Sequence, residues 1–146
     1  MSTNPNAIQV GGSHYRTGSG KQHWDVMDEY RVGYLESAAT KYLLRWRKKD
    51  GIKDLQKAEH FLRKLYACRG EMPFVDQMAR QPYVPAKVVE QLCAENMTPP
   101  EETRLIQLIL NWNTTGTIEL VRRGVQALID DQRDGSEPGS GYVNQG

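Results

Sequence analysis

A run of basic residues near the middle of the chain is spaced as one face of a helix. Lys41, Arg45 and Lys48 stand four and then three positions apart, which places their side chains on the same side of an α-helix. Arginine offers a bidentate fork to a phosphate group, and lysine offers a point charge. The spacing therefore indicates an anion-binding face, although a solvated helix surface has the same pattern.

Four carboxylates lie close to these cations in the sequence: Glu36, Asp50, Asp54 and Glu59. Helical nucleotide pyrophosphohydrolases bind magnesium through a tight acidic pair on one helix and a further acidic residue on the next. Ser37 follows Glu36, so the acidic pair is missing and no metal site is predicted. Asp54 falls at the start of a predicted helix, where a carboxylate can cap the helix or interact with its dipole.

The N-terminal segment holds a second set of candidates. The stretch 16–21 (RTGSGK) resembles a phosphate loop, but it lacks the first glycine, the Ser or Thr after the lysine, and the preceding strand of that motif. Its backbone amides and Lys21 could still contact a phosphate. His14 and Tyr15 lie beside it in a Gly/Ser-rich stretch, where hydrogen-bonding side chains are candidates for ligand contacts.

Composition and charge narrow the class of protein. The chain has 146 residues, enough for one domain with a modest core. Residues 41–69 carry ten Lys/Arg and three Asp/Glu, whereas residues 70–146 carry six Lys/Arg and eleven Asp/Glu. The basic middle predicts an anionic ligand or an acidic partner surface. Cys68 and Cys93 form neither a disulfide framework nor a metal motif, and no stretch is long and apolar enough for a membrane span, so we expect a cytoplasmic protein.

Apolar residues recur with a helical period over two neighbouring stretches, 34–49 and 53–68. Asp50 and Gly51 separate them, and the glycine suits the left-handed conformation that ends a helix. A connection this short predicts that the two helices form an antiparallel hairpin.

Further helices are predicted on both sides of this hairpin. A short one covers 23–30, one begins at Pro85, one follows a Thr98 cap, and a last one follows 113–116. Trp24 and Tyr42 are expected to pack in the core. The predicted fold class is all-α, with an antiparallel helical hairpin core, an extended N-terminal loop and a C-terminal helical extension.

These patterns divide the chain into four segments. Residues 1–10 are expected to be a flexible N-terminus, and residues 11–70 form the helical domain that contains the hairpin. Residues 71–133 form the C-terminal helical extension, and residues 134–146 a disordered tail.

Several spaced motifs within residues 11–66 resemble a small bacteriophage family. They are Ser13-His14-Tyr15, Trp24-Asp25-Val26, Ala39-Thr40-Lys41-Tyr42-Leu43-Leu44-Arg45, Lys48-Lys49-Asp50-Gly51 and Asp54-Leu55-Gln56-Lys57-Ala58. That family is described as proteins of unknown function or nucleotide kinases, and one relative is a T-odd phage nucleoside-monophosphate kinase without a Walker loop. Two positions depart from its pattern: Glu36-Ser37 replaces the usual Gly-Asn, and Lys53 replaces an acidic residue.

The resemblance implies one nucleotide- or phosphate-binding site, in which phosphate is held by helix cations and the ligand is covered by the N-terminal loop. Its members would be His14, Tyr15, Lys41, Arg45, Lys48 and Asp54. The implied activity is transfer of phosphate from ATP to (deoxy)nucleoside monophosphates, with Mg²⁺ carried by the nucleotide.

Two alternatives to an enzyme stay open. One is a non-catalytic binder that sequesters a nucleotide or host signal, and the other is a phage inhibitor that binds a host protein through the acidic C-terminal helices. A homo-oligomer is expected because a small helical hairpin buries little surface alone. A DNA-binding motif in residues 85–131 is disfavoured by the acidic charge of that stretch. The protein would act in the host cell cytoplasm, without a membrane partner.

Overall fold

The structure is a computed structural model, and it describes residues 21–70 and 83–135. Over these two ranges the chain forms six helices and no strand, which confirms the predicted all-α class. The helices are α1 His23–Glu29, α2 Tyr34–Arg45, α3 Ile52–Arg69, α4 Ala86–Glu95, α5 Pro100–Leu110 and α6 Thr115–Asp134. The N-terminus expected to be flexible and nearly all of the tail expected to be disordered lie outside the described residues.

The connection between α2 and α3 ends the first helix earlier than the apolar period predicts. The helix ends at Arg45 rather than Lys49, and the Lys48 amide in the following turn donates to the Arg45 carbonyl oxygen three residues earlier. The Gly51 amide then donates to the Trp46 carbonyl oxygen, and Gly51 takes a φ of 58°. Glycine enters this left-handed region at little cost, which is the role that the sequence predicts for it.

Helix α3 is the central helix of the described structure, since it packs extensively on both α2 and α6. Its residues Leu55, Leu62 and Leu65 are at most 1% exposed. Val121 and Val125 of α6 are also fully buried. One hydrophobic core therefore draws residues from both described ranges. The antiparallel orientation expected for α2 and α3 stays a prediction.

Buried carboxylates connect the two ranges through tryptophan side chains. Trp112 Nε1 donates to Glu36 Oε2 at 2.7 Å, and Trp46 Nε1 donates to Glu102 Oε1 at 3.1 Å. Both carboxylates are at most 2% exposed, so they need such donors to offset the cost of leaving water. Arg47 Nη1 adds a second donor to Glu102 at 2.8 Å. These bonds hold α2 and its turn against α5 and against Trp112, two residues beyond the end of α5.

Three local expectations are wrong. Pro85 is the N-cap of α4 rather than its first helical residue, and α5 is capped by Pro99 rather than Thr98. Pro100 then occupies the first helical position, where its missing N–H has no intrahelical partner to lose. Trp24 is 55% exposed rather than part of the core.

Replacing Gly51 with alanine is expected to lower the free energy of unfolding by about 1–2 kcal/mol, because an L side chain resists positive φ. An added Cβ would meet no atom within 4 Å, so the variant isolates backbone strain. Gly116→Ala is the matched control: Gly116 lies in the first turn of α6, where alanine favours the helix. Urea denaturation compares the two variants, and a Gly51→Ala protein as stable as Gly116→Ala would contradict the assignment.

Candidate functional site

Three cations surround the half-buried ring of Tyr42. Lys41 Nζ, Arg45 Cζ and Lys57 Nζ lie 5.5, 4.8 and 5.2 Å from the ring centroid. We term these three side chains and the Tyr42 ring the basic cluster. Cation–π attraction contributes about 0.5–1 kcal/mol for each exposed cation, but the cations also repel one another. The arrangement therefore favours an anion in their midst.

A buried carboxylate holds Arg45 in the basic cluster. Arg45 Nε and Nη2 donate to the two oxygens of Asp54, each at 3.2 Å, and Asp54 is fully buried. Asp54 Oδ2 also accepts the Asp50 amide at 3.2 Å, and Lys57 Nζ lies 3.9 Å from Oδ1. Asp54 thus offsets one positive charge, fixes the direction of Arg45 and ties the turn to the first turn of α3.

A row of aromatic rings continues from the basic cluster. The Phe61 ring stacks on Tyr42, with centroids 6.0 Å apart and planes 12° from parallel. Tyr34 meets Phe61 edge-on, at 6.0 Å and 80°. His60 lies against the same Phe61 ring at 6.2 Å. We term Tyr34, Phe61 and Tyr42 the aromatic row.

The structure brings together three of the site residues predicted from sequence. Lys41, Arg45 and Asp54 meet at the basic cluster. Lys48 is exposed in the turn that follows α2, where it extends the positive surface. Lys41 and Arg45 thus lie on α2 as predicted, and Arg45 pairs with Asp54. The prediction that Lys48 shares their helical face is wrong, because α2 ends at Arg45.

The N-terminal residues predicted to contact a ligand lie outside the described residues or, in the case of Lys21, have another partner. His14 and Tyr15 lie outside the described residues, so their closing over a ligand stays a prediction. Lys21 donates to Glu29 Oε1 at 3.0 Å, and this contact raises the pKa of Lys21 above its ordinary value. A phosphate at Lys21 would compete with the Glu29 carboxylate.

The sequence pattern alone gives no site role to Phe61 or Tyr34. It indicates Lys57 only as one of several cations that extend the positive charge around the turn. A signal exists on α2, since Lys41 and Tyr42 stand seven and eight positions after Tyr34, which is one helical face. Lys57 and Phe61 are likewise four apart on α3. The sequence does not show the register between the two helices. This register places Lys57 next to the Tyr42 ring. Tyr42, expected in the core, is only half-buried.

His23 is a titratable group next to Lys41 that the fold keeps neutral. Its Nε2 lies 2.9 Å from Thr40 Oγ1. The Thr40 hydroxyl has the backbone carbonyls of Glu36 and Ser37 as acceptors at 3.0 and 3.1 Å, which assigns an Nε2–H donor to His23. Burial, together with repulsion from Lys41, lowers the pKa of His23 to about 4.

Three of the four carboxylates weighed as metal ligands, Glu36, Asp54 and Glu59, accept hydrogen bonds from protein donors. Glu59 accepts hydrogen bonds from Arg63 and Arg122, both at 2.9 Å, while Glu36 and Asp54 have the partners described above. Within residues 21–70 and 83–135, no group of three or more His, Cys, Asp or Glu side chains is placed to hold a metal ion.

Residues 7–63 match DUF3310, a family of proteins of unknown function. The DUF3310 match spans α1, α2 and most of α3, and it includes every member of the basic cluster and the aromatic row. No curated protein and no solved structure matches this chain. The segment that matches DUF3310 therefore contains the candidate site, and the match assigns no activity to that site.

Replacing Arg45 with methionine is expected to destabilise the protein by about 3 kcal/mol, because Asp54 would stay buried without its guanidinium partner. The double variant Arg45→Met/Asp54→Asn removes the stranded charge and should recover most of that loss. Lys41→Met, at an exposed cation, is the control and should change stability by no more than about 0.5 kcal/mol. Urea denaturation gives all three values, and equal losses in Arg45→Met and Lys41→Met would contradict the structural role of the pair.

The lowered pKa of His23 predicts a pH dependence of stability. A pKa of about 4 in the folded protein, against the ordinary histidine value of 6.5, gives a contribution to stability that is complete above pH 6.5 and is lost as the pH falls towards 4. The loss amounts to at most about 3 kcal/mol. His23→Gln is expected to remove this component, whereas His60→Gln, at an exposed histidine, should retain it. Chemical denaturation across this pH range measures the difference, and parallel profiles for wild type and His23→Gln would count against it.

Proposed function

We propose that the protein binds a nucleotide with its phosphate on the basic cluster, and that it transfers phosphate from ATP to a (deoxy)nucleoside monophosphate. The observation that carries this proposal is the convergence of Lys41, Arg45 and Lys57 on the Tyr42 ring. Asp54 offsets the charge of Arg45, and the charges of two exposed lysines are then available to an anionic ligand. Lysine supplies such a ligand with point charges.

The basic cluster suits a phosphate acceptor better than a hydroxyl acceptor. A hydroxyl group must lose a proton during attack and needs a nearby base. Asp54 is buried and bonded to Arg45 and to the Asp50 amide, so it is poorly placed to take that proton. A phosphate monoester has a second pKa of about 6, so its oxygen is already deprotonated at neutral pH. That oxygen forms a bond to the γ-phosphorus of ATP while the bond from phosphorus to ADP breaks, and no proton has to be removed.

The cations have a defined part in this reaction. Lys41, Arg45 and Lys57 reduce the repulsion between the anionic acceptor and the transferred phosphoryl group, which is the main electrostatic obstacle to transfer. Lys48 extends the positive surface into the turn. In this proposal Mg²⁺ arrives with the nucleotide and neutralises its phosphates, and His14 and Tyr15 cover the ligand.

A second candidate function is a non-catalytic binder that sequesters a nucleotide or a host signal. The engagement of Asp54 also favours this function, because the basic cluster offers charge for binding without a carboxylate in reach of a ligand proton. Inhibition of a host protein through α4–α6 is a third proposal, supported by the acidic charge of residues 70–146.

The motif resemblance supplies the biological setting of the proposal. From it we propose that the protein comes from a bacteriophage, acts in the cytoplasm of the host cell and is a relative of the phage nucleotide kinases. The homo-oligomer is a separate proposal, which rests on the small surface that a helical hairpin buries alone. None of the helices in the described residues is long and apolar enough to cross a bilayer.

Turnover and binding assays separate these functions. Incubation with ATP, Mg²⁺ and each nucleoside or deoxynucleoside monophosphate is expected to yield the corresponding diphosphate, detected by chromatography. Lys57→Gln is expected to weaken nucleotide binding about tenfold in calorimetry, because it removes one charged contact to phosphate. Lys87→Gln makes the same change at an exposed lysine of α4, whose main packing partner is α5, and should bind like wild type.

Each outcome favours one proposal. Saturable binding without diphosphate formation would favour the sequestering function. No nucleotide binding, or equal binding by Lys57→Gln and Lys87→Gln, would overturn the assignment of the site to the basic cluster.

A further inference from the structure

The aromatic row leads away from the cations and ends in an exposed ring. Tyr34, the first residue of α2, is 75% exposed, and half-buried Phe61 lies between it and Tyr42. The cationic side chains, which include Lys41 and Lys57, lie at the Tyr42 end of the row. The surface therefore has a polarity, with charge at one end and a flat apolar ring at the other.

We propose that the exposed Tyr34 ring, supported by the nearly perpendicular ring of Phe61, is the platform on which the nucleotide base stacks while the phosphate sits on the basic cluster. This inference rests on the proposed function, and it adds the part of the ligand that the aromatic row contacts. A nucleotide has the same polarity as the surface, since a planar apolar base is joined through a sugar to an anionic group. Every base has a π-face, so stacking on an aromatic ring suits a nucleobase in general.

The packing of the aromatic row prepares the platform before a ligand arrives. Phe61 is held between the parallel ring of Tyr42 and the edge of Tyr34, and His60 lies against it from its own helix. A ring that is already fixed loses little entropy when a base stacks on it. The two ring-to-ring steps are 6.0 Å each, so a base on Tyr34 can direct its sugar and 5′-phosphate towards Tyr42.

The charge around the aromatic row favours a small anionic ligand over an apolar protein partner. The groups that flank Tyr42 are Lys41, Arg45 and Lys57, and the nearby carboxylate, Asp54, is buried beneath them. An apolar partner covering Tyr42 would have to desolvate these cations without compensation. A nucleotide compensates them with its phosphate.

Calorimetric titration with a matched pair of ligands tests the platform. A nucleoside 5′-monophosphate and ribose 5-phosphate share the phosphate and the sugar, and they differ in the base. In wild type the nucleotide is expected to bind about tenfold more tightly than ribose 5-phosphate. Tyr34→Ala should remove this difference without weakening ribose 5-phosphate, and Tyr34→Phe should preserve it. Lys57→Gln should weaken both ligands by a similar factor.

These outcomes distinguish the platform from the phosphate site. If wild type and Tyr34→Ala both bind the nucleotide no better than ribose 5-phosphate, the platform is overturned while the phosphate site stands. If neither ligand binds wild type, the proposed function itself is overturned. A nucleotide preference that survives Tyr34→Ala, and also survives Phe61→Leu, would place the base elsewhere. Because Tyr34 is exposed, circular dichroism of Tyr34→Ala is expected to match that of wild type.

Discussion

The pair between Arg45 and Asp54 is the interaction on which the candidate site depends. Asp54 is a fully buried carboxylate, and such a group is tolerated only when cationic or N–H donors surround it. Its donors are the Arg45 guanidinium and the Asp50 amide, which come from the end of α2 and from the turn. One side chain therefore fixes the turn, the direction of an arginine and the approach of α2 to α3. A site that needs cations from both helices could not form without that approach.

The helices after residue 82 act on the site through packing. Helix α6 buries Val121 and Val125 within the same core as α3. The indole of Trp112 reaches the buried Glu36 carboxylate in the first turn of α2. The Trp112 hydrogen bond and the shared core both restrict how α2 and α3 can move, so the residues of the basic cluster are held by more of the fold than these two helices. Residues 83–135 therefore contribute to the geometry of a site whose side chains lie wholly within the segment that matches DUF3310.

The sequence predicts the helices well because their apolar residues recur with a period close to 3.6, and this period is a local property. It predicts the end of α2 less well, since the turn that follows has its own hydrogen bonds, from the Lys48 amide to Arg45 and from the Gly51 amide to Trp46. Lys41 and Arg45 could be placed on one face from spacing alone. Lys57 and Phe61 could not be added to them, because their position depends on how far α3 is shifted along α2. The burial of Asp54 is also a tertiary result, so its carboxylate could be expected to favour the helix start but not to bind Arg45.

The basic cluster carries an excess of positive charge in the absence of a ligand. Three cations lie within 5.5 Å of one ring centre, and a single carboxylate is bonded to them. Cation–π attraction of about 0.5–1 kcal/mol per cation only partly opposes their mutual repulsion. A surface shaped by stability alone would alternate the signs of its charges, as the Glu119, Arg122 and Glu59 contacts between α6 and α3 do. The charges around Tyr42 do not alternate in this way, and a phosphate would compensate the excess positive charge there. Departures of this kind are concentrated at functional sites.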